Sequence, residues 1–298
     1  MQEAPRAPLE DLLRRDRLVT AVGLAMLCVL AWLYLLNSAG MGMSLSDMTR
    51  LALFPHQAAE AAGAMPDMPG MKMDGMDMPG MDMGPTAAAP QPAPWSASTW
   101  LLSAAMWWTM MVAMMTPTAA PTVLLYARVH RHAQDRREGL APTGAFTAGY
   151  LLAWLGFSLA AVAAHWALQR FGLLSATTMG SQSPWLSAGV LIAAGLYQLS
   201  PLQGVCLSHC RAPAAFLSRH WRPGVLGAVR LGVLHGAYCV GCCWVLMALL
   251  FVGGVMNLVW IAVLTLLVLV QKLLPGGVWV GRAAGVLMIV WGAATLAV

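Results

Sequence analysis

Apolar runs too long for any soluble helix recur along this chain, and they constrain its fold more than any other feature. The first is Leu18–Leu36; others follow at about Trp100–Tyr126, Ala145–Leu168, Trp185–Leu199, Leu226–Gly254, Leu258–Val270 and Ala283–Val298. About 20 apolar residues carry a helix across a ~30 Å hydrocarbon core, where only helices and closed barrels leave no backbone group unsatisfied. The chain is 59% hydrophobic and 10% charged, whereas soluble domains carry about a quarter charged residues. The expected fold is all-α, a polytopic transmembrane bundle of about seven helices.

The 17 Lys and Arg residues sit mainly in short loops beside the apolar runs, the positive-inside pattern, and no stretch interleaves them with aromatics. The implied partner is a lipid bilayer and not nucleic acid. Placing the basic loops 128–138 and 201–223 inside puts the N-terminus in, residues 37–98 out and the C-terminus out. Leu18–Leu36 exceeds a signal-peptide core of about 7–15 residues and lacks a clear small-x-small cleavage site, so it reads as an uncleaved anchor. The expected organisation is a cytosolic tail (1–17), a first transmembrane helix (18–36), a disordered Met-rich periplasmic loop (37–98) and a six-helix membrane domain (99–298), all in a bacterial inner membrane.

Methionine is the compositional anomaly, with 22 residues, half of them in the linker. Met71, Met73, Met76, Met78, Met81 and Met83 build a repeat of the form Met-x-Met-x-Gly, which Met65 and Met68 extend upstream. Pro and Gly at this density oppose helix and sheet, and a disordered segment has no packing use for methionine. Thioether sulfur is a soft, uncharged ligand that selects Cu(I). It also cannot be lost to disulfides in an oxidising compartment.

A second set lies in the run Trp107–Pro117. At 100° per residue, Met106, Met110 and Met114 fall within an arc of about 80° on a helix, with Met111 and Met115 beside them. Such a stripe also fills gaps between helices. Pro117 frees a carbonyl one turn earlier and is expected to kink the helix, which membranes tolerate when neighbours satisfy the freed group.

The cysteines fall in or beside apolar runs, unlike a secreted disulfide framework. His235, Cys239 and Cys242 share an arc of about 60°, which Cys243 widens to about 100°. Gly232 and Gly236 on the same face let another helix approach closely. Three thiols and an imidazole are a usable set for Cu(I) or Zn(II). A second cluster holds Cys206, His209 and Cys210, followed by Arg211, a cation expected to promote the metal-binding thiolate form. Cys28, alone in the first helix, reads as a small packing residue, and His165 as a hydrogen-bonded polar residue in the third span.

The segment Met110–Pro117, Tyr197-Gln198 leading to Cys206 and Cys210-Arg211, the segment Cys239–Met247, and Gly254–Trp260 together resemble the bacterial family of predicted metal-binding integral membrane proteins, whose function is uncharacterised. The resemblance covers about residues 99–298 and implies a multi-helix metal-binding membrane domain. Gln203 and Gln271 stand where the family pattern would have Lys and Glu. The Met-rich linker is an elaboration on that core, similar to periplasmic copper-resistance tracts.

The leading functional expectation is a non-enzymatic Cu(I) transporter or metallochaperone. It would relay the ion from the linker through the methionine helix to the Cys/His sites, in either direction, with a periplasmic cuproprotein or copper chaperone as partner. The alternatives are a thiol–disulfide redox or assembly factor and a structural subunit of a membrane complex. No phosphate loop and no Ser/His/Asp set stands out.

Overall fold

A computed structural model describes residues 8–38, 95–133, 141–175 and 179–297. Most of the linker, with Met65, Met68, Met71, Met73, Met76, Met78, Met81 and Met83, lies outside the described residues, as do residues 1–7 of the tail. The described residues form ten helices and no strand: α1 (Pro8–Ser38), α2 (Ala97–Ala133), α3 (Ala141–Arg170), α4 (Pro184–Leu199), α5 (Pro201–Arg211), α6 (Pro213–His220), α7 (Gly224–Ala248), α8 (Leu250–Gly253), α9 (Leu258–Leu273) and α10 (Gly277–Ala297).

Five segments are long and apolar enough to cross a membrane, in α1, α2, α3, α7–α8 and α10. A sixth follows if α4 and α5, bent by 64° to each other, count as one span. The sixth of the seven expected runs, Leu258–Val270, becomes α9, which at 16 residues is shorter than a full span.

The breaks have local causes. Pro184, Pro201 and Pro213 open α4, α5 and α6 at a first-turn position, where a missing N–H costs nothing. Ser200 serves both sides of the bend: its hydroxyl donates to Tyr197 O at 2.7 Å and accepts from Gln203 N at 3.3 Å. Asn257 ends the long apolar stretch by capping α9, its Oδ1 accepting from Trp260 N at 3.1 Å. Gly254 before it takes φ 91°, a left-handed value suited to glycine.

α2 runs unbroken through Pro117 and Pro121. Pro117 cannot donate to Ala113 O, and a neighbouring helix supplies the missing donor: Trp32 Nε1 of α1 reaches that carbonyl at 3.2 Å, with Cys28 Sγ at 3.9 Å. Cys28 thus packs α1 on α2, as expected of it.

The glycine face of α7 receives α3. A Cβ on Gly236 would stand 2.5 Å from Ala153 Cβ, and one on Gly232 would run into the Phe146 carbonyl. α4 packs on α10, and α9 reaches both α2 and α5. Trp107, Tyr126, Phe146, Tyr150 and Trp154 are buried in one core with the α2 methionines and the α7 cysteines.

Candidate metal centre

Cys239, Cys242 and Cys243 face the core from the middle of α7, each no more than 2% exposed. Half-buried Cys210 comes in from α5. Cys210 lies close to Cys239 and Cys242, and Cys243 stands beside them on the same helix. Four thiols, from two helices that are separate in sequence, therefore meet inside the bundle.

The same place holds a cation. Lys272, in the last turn of α9, is 6% exposed, and its Nζ donates to Cys239 Sγ at 2.8 Å. A buried ammonium requires a counter-charge or a full set of acceptors. All 12 Asp and Glu residues of the chain lie at or before Glu138, so no carboxylate of the later helices can answer it. The Cys239 thiol is the group in contact that could form an anion. Tyr150 of α3 completes the surroundings: its hydroxyl donates to Met115 O at 3.1 Å and lies 3.2 Å from Cys239 Sγ. One side chain thus links the methionine helix to the thiols.

As placed, the sulfurs are not gathered around one point. Among the described residues no three His, Cys, Asp or Glu side chains are positioned to hold a metal ion together. The hydrogen bonds explain why. Cys242 and Cys243 donate to the Cys239 carbonyl, at 3.1 and 3.0 Å, while Cys239 Sγ is occupied by Lys272 and Tyr150. Each α7 thiol is satisfied by its own helix or by a cation, and ligation requires turning sulfurs away from those partners.

The other expected ligands divide. Met106, Met110, Met111, Met114 and Met115 are all buried in the core that holds the thiols. Cys206 is half-buried and lies over Gly241, where an added Cβ would come within 3.0 Å of its sulfur. His235 is buried one turn before Cys239 among Phe146, Tyr150 and Phe216, with Nδ1 lacking a hydrogen-bond partner. His209 stands apart from the thiols: its ring stacks on Tyr238 at 4.1 Å and Nδ1 meets Val205 O at 2.9 Å.

Two expectations are corrected. Arg211 does not attend a thiol; its guanidinium donates to the carbonyls of Gln271 and Pro275, closing the end of α9. His165 is not hydrogen-bonded: both ring nitrogens are buried without a partner, between the rings of Trp95 and Phe251.

Lys272 and Tyr150 were missed by sequence reasoning. Tyr150 carries no local signal. Lys272 reads as the end of a span at the membrane surface, yet a 16-residue helix rises only about 24 Å. That is short of a ~30 Å core, so its terminal ammonium has no need to reach water.

No curated protein and no solved structure matches the chain. The PpoB2 family, described as copper chaperones, matches residues 104–295. That segment contains the methionine stripe, both cysteine clusters, Tyr150 and Lys272, and leaves out the Met-rich linker. With about two thirds of its length matched, the chain belongs to the PpoB2 copper chaperone family.

Proposed function

We propose that this protein is an integral membrane carrier that accepts Cu(I) and hands it on, with no catalytic step of its own. One observation carries the reading: Lys272 is buried against Cys239, with Cys242, Cys243 and Cys210 close by. Soft thiolates select Cu(I), and a Cu(I) ion held by two of them leaves one net negative charge. The Lys272 ammonium supplies the matching positive charge where water cannot. Zn(II) takes the same donors but asks for four of them in a tetrahedron.

In this reading the linker methionines gather Cu(I) outside the membrane, and the Met106–Met115 stripe conducts it inward. Cys239, Cys242, Cys243 and Cys210 hold it next, with Cys206 and His235 at the margins. A series of weak soft sites lets an ion move without a deep trap, as in channels. The aromatic cluster of Trp95, Trp100 and Trp166 at one end of α2 and α3 suits a membrane interface. It supports placing the linker on that side, outside, with the arginine-bearing turn before α7 inside. The partner would be a copper chaperone or cuproprotein.

The deciding experiment is copper analysis of detergent-purified protein after Cu(I) loading. Wild type is compared with a deletion of residues 65–83 and with a Cys239/Cys242/Cys243→Ser variant. The reading expects the deletion to lose the linker's share and the Ser variant to lose the intramembrane share. Equal stoichiometry in all three proteins would sink it. Reversible Cys239–Cys242 disulfide cycling in copper-free protein would favour a redox role instead.

A further inference from the structure

At the end of the bundle where α2 finishes, the chain forms a recess lined by no cysteine and no methionine. Arg219 and His220 end α6, Trp221 and Arg222 make the turn, and Arg230 comes from the first turns of α7; together they line a cavity of about 320 Å³. Trp221 lies 5.3 Å from the Tyr126 ring, which fixes the turn against α2. Among the described residues none of the three arginines has an ion-pair or hydrogen-bond partner, and the last acidic residue of the chain is Glu138. Three arginines thus line one recess where the surrounding helices offer no anion.

Sidedness alone does not ask for this arrangement. The positive-inside rule is met by basic residues anywhere in a short loop, whereas Arg230 is the seventh residue of α7, inside an apolar helix. Arg230 is exposed there and lines the recess. The guanidinium fork matches phosphate oxygens bidentately. Beside the recess, Val225 and Leu226 are 47% and 84% exposed, an apolar surface next to a cationic one. Trp221 has the amphipathic ring found at headgroup depth.

We propose that this recess binds a phosphate group, and that its source is an anionic phospholipid whose acyl chains lie along Val225 and Leu226. The guanidinium groups of Arg219, Arg222 and Arg230 hold the phosphate oxygens, and the start of α7 becomes a fixed lipid contact.

The test uses the full-length protein in nonionic detergent, titrated separately with phosphatidylglycerol, phosphatidylcholine and inorganic phosphate. The readouts are the unfolding midpoint and lipid retained in native mass spectra. Phosphatidylglycerol is expected to raise the midpoint and stay bound, phosphatidylcholine and free phosphate to do neither. Each arginine changed to Gln should weaken phosphatidylglycerol binding about tenfold, and Arg219→Gln/Arg222→Gln/Arg230→Gln should abolish it. Arg282→Gln, in α10, is the control and should bind as wild type. Should the triple variant not fold, Arg219→Gln alone, at an exposed position, carries the comparison. Equal binding by wild type and variants overturns the proposal, as does a midpoint shift by free phosphate without preference for the lipid. A shift with polyglutamate but with neither phosphate source would assign the recess to an acidic protein and overturn it equally.

Discussion

Replacing Lys272 with methionine removes one positive charge from the thiol network while keeping side-chain length and an apolar fit. In copper-free protein the four thiols can all be neutral, so the variant is expected to fold. With Cu(I) held by two thiolates the centre carries one net negative charge, now buried without its partner. Nζ stands 2.8 Å from Cys239 Sγ; at a more relaxed ~4 Å, two unit charges in an effective dielectric of about 20 attract by about 4 kcal/mol. Water penetration and side-chain relaxation reduce that to about 3 kcal/mol, a loss of about a hundredfold in Cu(I) affinity. Competition against a chromophoric Cu(I) chelator measures it on detergent-purified protein lacking residues 65–83, so that the linker does not mask the site. Lys272→Arg keeps the charge and should stay within about tenfold of wild type. Unchanged affinity in Lys272→Met would refute the reasoning, and so would an equal loss in Lys272→Arg, since size and not charge would then be at stake.

Other substitutions probe the frame around the site. Tyr150→Phe deletes the hydroxyl between Met115 O and Cys239 Sγ and should lower stability by about 1 kcal/mol per lost bond, read as a fall in the unfolding midpoint, with weaker Cu(I) retention. Trp32→Phe strands the Ala113 carbonyl and should cost about 1–3 kcal/mol; in a Pro117→Ala background, where residue 117 donates again, the same change should cost little, and a thermal double-mutant cycle tests this. Gly232→Ala drives a methyl into the Phe146 carbonyl and should destabilise the α3–α7 contact by about 1–3 kcal/mol, whereas Gly189→Ala, with nothing within 4 Å of the added Cβ, should be silent in the same melting assay.

The parts of this structure legible in sequence are those that depend on short-range periodicity. The apolar runs predict the long helices, and the Gly232/Gly236 spacing predicts a close helix contact. The site depends on contacts of long range. Nothing near position 210 says that Cys210 will come close to Cys239 and Cys242, because the 64° bend at Ser200 decides where α5 points. Arg211 was the natural cation for the thiols on proximity in sequence, yet its reach is spent on carbonyls at the end of α9. Lys272, 33 positions beyond Cys239, takes that place because α9 is too short to deliver it to water.

The state of the thiols bears on what a carrier needs. A rigid, preformed set of ligands would bind Cu(I) tightly and release it slowly, since preorganisation removes the cost of ordering. Here Cys242 and Cys243 donate to the Cys239 carbonyl and Cys239 faces an ammonium, so binding must first break contacts worth about 1 kcal/mol each for the two thiol–carbonyl bonds. Those bonds re-form when the ion leaves, with Lys272 at hand to receive Cys239. Copper and the resting partners therefore compete for the same sulfurs on comparable terms, and affinity is tempered without removing any ligand. On this argument Cys243→Ala, which leaves the Cys210, Cys239 and Cys242 thiols in place, should weaken Cu(I) retention against a competing chelator less than Cys239→Ala, whose sulfur is the one that meets both the ammonium and the tyrosine linked to the methionine helix.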